Sequence, residues 1–141
     1  GVLDMLRFPH FTDGALWAVE FGSPDDPKMF PVLRGYSPYH NIVPGRRYPA
    51  TLVTTGDTDD RVYPAHSFKF AARLQAEAAP GSPVLLSVEA NAGHGAGTRR
   101  SQVIDSAADR LAFTLQQLGM TLPPAFPVGE SAVPEGGFIG P

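Results

Sequence analysis

The chain has 141 residues, 43% of them hydrophobic and 18% charged, with a net charge of −3. That is enough for one domain with a buried core and too little for two comfortable domains, and it speaks against general disorder. The acidic balance argues against nucleic-acid binding, which needs a basic face for phosphates. The absence of cysteine excludes disulfides, thiolate chemistry and cysteine-ligated metals, and no apolar run approaches the roughly 20 residues that span a bilayer.

The chain opens Gly1-Val2-Leu3-Asp4-Met5-Leu6, with no initiator Met and no signal-peptide pattern. An apolar stretch at the first residue suits the interior of a longer protein. A fragment or processed chain is therefore expected, from cytoplasm or periplasm. Residues 1–8 predict the end of a buried strand running into a turn. Thr12 and Asp13 predict the cap of a short helix carrying Leu16, Trp17, Val19 and Glu20 and closed by Gly22. Ser23-Pro24-Asp25-Asp26 predicts a second helix start, with Met29, Val32 and Leu33 on one face. Prolines at 38, 44 and 49 make 37–49 a loop.

Residues 50–55 are short, β-branched and bounded by Pro and Gly, which predicts a buried parallel strand. A helix follows over 64–79, with Pro64 near its first turn, Phe68, Ala71, Ala72 and Leu74 as candidate core, and His66 on its surface. Residues 84–88 are a second strand, and 93–97 a glycine-rich loop. The clearest helix is 101–118, where Ile104, Ala107, Ala108, Leu111, Leu115 and Leu118 form one stripe and Gly119 supplies the stop. Residues 120–141 are rich in Pro and Gly and read as an extended, disorder-prone tail.

Strand, helix, strand, helix after residue 50 is the α/β order. Right-handed crossovers place both strands in one parallel sheet, and ligands of such sheets bind beyond the strands' carboxyl ends. Loops 56–63 and 91–100 are therefore where a site is expected.

The first loop holds Asp57, Asp59 and Asp60. Asp57 and Asp59 match calcium-loop positions 1 and 3, but Arg61 occupies position 5 and no Gly follows. A solvated acidic turn is the plain alternative. The second loop, Asn91-Ala92-Gly93-His94-Gly95-Ala96-Gly97-Thr98-Arg99-Arg100, approaches a dinucleotide fingerprint, yet Thr98 stands where the third Gly belongs. A tight turn with an incidental His94 is the alternative there. A third reading joins the loops. Serine hydrolysis needs an imidazole to take and return a proton, and a carboxylate to hold its tautomer and stabilise its charged form. An acid after one strand and His94 after the next, in a flexible glycine setting, meet that need in the chain order of an α/β-hydrolase. His10, His40 and His66 are scattered, with no metal-binding pair, and His40 suits a polar role in its loop. No serine has the G-x-S-x-G setting of a nucleophile elbow; Gly129-Glu130-Ser131-Ala132-Val133 comes nearest.

The run Asp57-Thr58-Asp59-Asp60-Arg61-Val62-Tyr63-Pro64-Ala65-His66-Ser67, followed by Ala92-Gly93-His94-Gly95-Ala96-Gly97, resembles the C-terminal part of the prolyl oligopeptidase (prolyl endopeptidase) family of S9 serine peptidases. Gly1 to Phe8 and Tyr36-Ser37-Pro38-Tyr39-His40-Asn41 fit the same family, and the resemblance covers residues 1–119. It implies the C-terminal portion of an α/β-hydrolase fold, a parallel sheet with flanking helices that is incomplete without upstream strands. It implies a seven-bladed β-propeller elsewhere in the protein and proteolysis of short peptides after proline, with no cofactor, metal, nucleic acid or membrane involved. By motif position, Asp59 matches the triad acid and His94 the triad base. Arg61 matches the group that binds a substrate carbonyl, and Trp17 the indole that stacks on the substrate proline. Val2 and Val62 match apolar pocket walls. Phe21 stands where the family commonly has tyrosine, which keeps the ring and loses the hydroxyl. The nucleophile is expected upstream of Gly1. The alternative is an α/β-hydrolase-like binding module that has no nucleophile at all.

Overall fold

Two parallel strands organise the molecule, whose computed structural model describes residues 1–95 and 98–121. Strand β1 (Thr51–Gly56) pairs with β2 (Val84–Glu89) in register from Thr51↔Val84 to Gly56↔Glu89. Between them runs α3 (Ala65–Glu77), and after them α4 (Arg100–Gln117). Both strands and both long helices lie within two residues of their predicted bounds. Pro64 caps α3, where its missing N–H costs nothing. Gly119 has φ +66, the left-handed stop expected after α4.

The N-terminal third departs from expectation. Residues 1–8 form no strand. Asp4 Oδ1 accepts the N–H groups of Leu6 and Arg7, both at 3.1 Å, and folds the chain into a turn that leads to a 3-10 helix at Phe8–His10. The next helix starts as 3-10 over Thr12–Trp17 and becomes α1 only at Ala18–Phe21. Thr12 has φ +37 and its side chain caps nothing. The third helix, α2, begins at Met29 rather than Ser23 and runs to Tyr36. Ser23 Oγ and Asp26 Oδ1 take the N–H groups of Asp25 and Lys28 at 3.1 and 2.8 Å, local turns that compete with helix.

Two small cores result. Met5, Phe8 and Leu33 pack with Trp17, Phe21 and Met29. Ile42, Leu74 and Val84 pack with Tyr48, Phe70 and Ala78 under the sheet. Ala71 and Leu74 are core as predicted, whereas Phe68 and Ala72 are exposed. His66 is not a surface residue: it is 1% exposed, because the first turn of α3 packs against Asp4 and Phe11. The predicted stripe of α4 is uncovered among the described residues, with Ile104, Leu111 and Leu118 all exposed. Its other face, Asp109, Ala112, Phe113 and Gln116, turns to Leu52, Leu85 and Leu86 across a gap of about 390 Å³. Ala112 and Phe113 give that second face an apolar strip of its own, and tertiary packing chooses which side meets the sheet. Of the predicted tail, 122–141 lies outside the described residues, as do Ser131 and residues 96–97 of the glycine loop.

Candidate active site

The carboxyl ends of β1 and β2 are stitched together. Asp57 N–H donates to Glu89 O at 3.0 Å and Thr58 N–H to Ala92 O at 3.1 Å, while Asp57 Oδ1 accepts the Ala92 N–H at 3.2 Å. The stitching needs Gly56, because a Cβ there would stand 2.1 Å from Ala92 O. The two predicted loops therefore meet, and they bring Asp59 to His94.

Asp59 is buried at the bend after β1. Its Oδ1 accepts the backbone N–H of Arg61 at 3.1 Å and of Val62 at 2.8 Å. Its Oδ2 is 2.8 Å from His94 Nδ1. An ionised carboxylate only accepts hydrogen bonds, so Nδ1 is the donor of this pair, and in the neutral ring that leaves the lone pair on Nε2. Burial pushes the Asp59 carboxyl up. The hydrogen bonds from His94 and from the Val62 and Arg61 backbone outweigh that and hold it below the usual carboxylate range. The His94 side chain is 43% exposed, so the ring stays accessible. Asp57 has the separate task of holding Ala92.

Beside this pair lies an open cleft of about 290 Å³ lined by Val2, Trp17, Phe21, Arg61, Val62 and His94. It gathers the expected apolar walls, indole, guanidinium and imidazole from four stretches of chain. Glu20 also lines it, and sequence reasoning did not single that residue out. The available signal was spacing: Trp17, Glu20 and Phe21 stand at i, i+3 and i+4, which is one helical face. Arg61 makes no ion pair with Asp57 or Asp60 among the described residues. No group of three or more His, Asp or Glu among those residues could hold a metal, so the calcium reading of the loop has no support. No serine among the described residues lines the cleft.

A second polar cluster was not foreseen either. Asp4, 1% exposed, is ion-paired through Oδ2 with Lys69 Nζ, and its backbone N–H donates to His66 Nδ1 at 3.3 Å. Ser37 Oγ sits 2.8 Å from His40 Nδ1 and accepts the Met5 N–H at 3.0 Å, so His40 has the polar loop role expected of it. Burial opposes ionisation of Asp4, but Lys69 and, more weakly, His40 and the Leu6 N–H outweigh it and keep the carboxyl below its ordinary range. The cluster ties the segment that carries Val2 to the helix that follows Val62, and so links two stretches that line the cleft.

The known proteins to which this chain is similar are peptidases. The sequence profile of the prolyl oligopeptidase family matches residues 1–121. A prolyl endopeptidase of Elizabethkingia miricola is 54% identical over 121 residues, which make up 85% of this chain and 17% of that protein. Prolyl oligopeptidase A of Amanita bisporigera is 44% identical over 121 residues, 85% of this chain and 16% of its own length. Among solved structures, prolyl oligopeptidase B of Galerina marginata, bound to a 35mer hydrolysis and macrocyclization substrate, superposes with a TM-score of 0.78 at 38% identity, covering 87% of this chain and 17% of that one. A post-proline cleaving enzyme from Rickettsia typhi superposes with a TM-score of 0.79 at 26% identity, covering 86% of this chain and 17% of that one. The chain thus spans about a sixth of the length of the relatives it matches. Its parallel strand pair and flanking helices are a portion of the α/β-hydrolase fold of their catalytic domains. With its profile match, its sequence identity and its fold all in agreement, the chain belongs to the prolyl oligopeptidase family.

Proposed function

We propose that this chain supplies the acid and the base of a serine-type endopeptidase that hydrolyses short peptides on the carboxyl side of proline. The observation that carries the reading is the 2.8 Å contact between His94 Nδ1 and Asp59 Oδ2 at the mouth of a cleft that also contains Trp17. In this reading His94 Nε2 takes the proton of a serine hydroxyl as the oxygen attacks the scissile carbonyl. The tetrahedral adduct collapses as the imidazolium gives that proton to the leaving amine, and water then releases the acyl group by the same exchange. Asp59 holds the ring and stabilises its positive form. Trp17 offers a flat apolar face to the proline ring, with Val2, Val62 and Phe21 as walls, and Arg61 donates to a substrate carbonyl.

The serine comes from a part of the protein outside this chain, which has no G-x-S-x-G. Residues 1–119 are the catalytic portion in this reading and 120–141 a tail outside it. The working partners are the rest of the catalytic domain and a β-propeller that admits short peptides. Hydrolysis of a chromogenic peptide ending in proline tests the proposal. The complete protein turns it over and loses turnover with His94→Ala, while 1–141 alone is inactive and regains activity only when mixed with the missing portion. Turnover by 1–141 alone that survives His94→Ala would overturn the assignment. A complete protein that binds the peptide without cleaving it would favour a nucleophile-less binding module.

A further inference from the structure

The cleft holds two side chains of opposite charge that do not use each other. Arg61 and Glu20 both line it and both are exposed, yet neither forms an ion pair within 4.0 Å among the described residues. Their hydrogen bonding is equally open: Arg61 enters only through its backbone N–H to Asp59, and the Glu20 carboxylate enters none among those residues. Around them the wall is aromatic or aliphatic, from Trp17, Phe21, Val2 and Val62. Among the described residues Glu20 is the only carboxylate on that wall, and it shares the cavity with His94. A ligand lying along the cleft therefore meets a cation that favours carbonyl oxygens and, separately, an unpartnered anion. The anion attracts a positive group entering the cleft and repels a negative one, and low-dielectric walls strengthen both effects relative to water.

We propose that Glu20 is a specificity-determining residue that makes this cleft select proline peptides carrying a cationic side chain next to the proline. This rests on the peptidase reading for the identity of the ligand, and it adds the charge of the preferred substrate. An exposed pair of this kind changes binding by a small factor, about two- to fivefold, and less at high salt.

The experiment uses the complete protein and three peptides that differ only in the residue beside the proline, Lys, Ala or Glu, each tested with that residue before and after the proline. Both kcat/KM and the dissociation constant by titration calorimetry are measured. The expected order is Lys over Ala over Glu in one of the two positions, steeper at low salt. Glu20→Gln flattens the order and Glu20→Lys inverts it. Equal values for the three peptides, or an order that Glu20→Gln leaves unchanged, would overturn the inference even if every peptide is cleaved after proline. Peptides bound in the expected order but never cleaved would support the inference and sink the peptidase reading instead.

Discussion

A histidine serves hydrolysis when one ring nitrogen is held and the other is free, and the Asp59–His94 contact creates that asymmetry. Replacing the acid by an amide keeps the shape but lets the amide donate to Nδ1, which moves the ring proton to Nε2. Asp59→Asn in the complete protein is therefore expected to lower kcat by roughly 10⁴ with little change in KM, read from steady-state hydrolysis of a proline peptide. In the proposed function Trp17 and Arg61 serve binding instead. Trp17→Ala should cost about 1–3 kcal/mol of discrimination between proline and alanine substrates, measured as a ratio of kcat/KM values. Arg61→Ala should raise KM more than it lowers kcat.

At the level of elements, the site exists because the β1 and β2 loops touch, and the contact runs through Gly56. Its helical or turn freedom is not the issue; the 2.1 Å approach of Ala92 O to a hypothetical Cβ is. Gly56→Ala must push the second loop away and with it His94. The expected result is a loss of about 1–3 kcal/mol in stability, typical of overpacking, seen as a lower melting temperature together with lower kcat. Retained stability with full activity would show that the loops can separate without harm.

For the molecule as a whole, the buried Asp4–Lys69–His66 cluster makes stability depend on pH. Burial lowers His66 to about 4 from the ordinary 6.5, with the Asp4 charge only partly opposing it. The Asp4 N–H donated to Nδ1 also requires a neutral ring. Between pH 6.5 and 4 the unfolded chain takes up a proton at this position and the folded one does not. Stability is therefore full above about pH 6.5 and declines as pH falls toward 4, by on the order of 3 kcal/mol from this residue. The lowered carboxyls of Asp4 and Asp59 extend the decline to lower pH. Melting temperature followed from pH 7.5 to 4 checks this, and His66→Gln should flatten the upper part of the curve.

Sequence alone determined what depends on near neighbours. Short β-branched runs bounded by Pro and Gly, and 3.6-residue spacing, located both strands and both long helices, since those signals are local. The order of elements determined parallel pairing, and the position of loops after strands directed attention to the aspartates at 57, 59 and 60 and to His94. Tertiary structure decided what depends on distant contacts. Asp4 and His66 are 62 positions apart, and no window of sequence shows that they bury each other. The turns at Asp4, Ser23 and Asp26 arise because a side-chain oxygen competes successfully with the backbone for an N–H, a contest whose outcome packing sets. Spacing alone left three aspartates in one loop. Geometry separates them, because Gly56 lets Ala92 approach closely enough for Asp57 to hold it while Asp59 meets His94. Tertiary folding also places Glu20 in the cleft of a histidine 74 positions later.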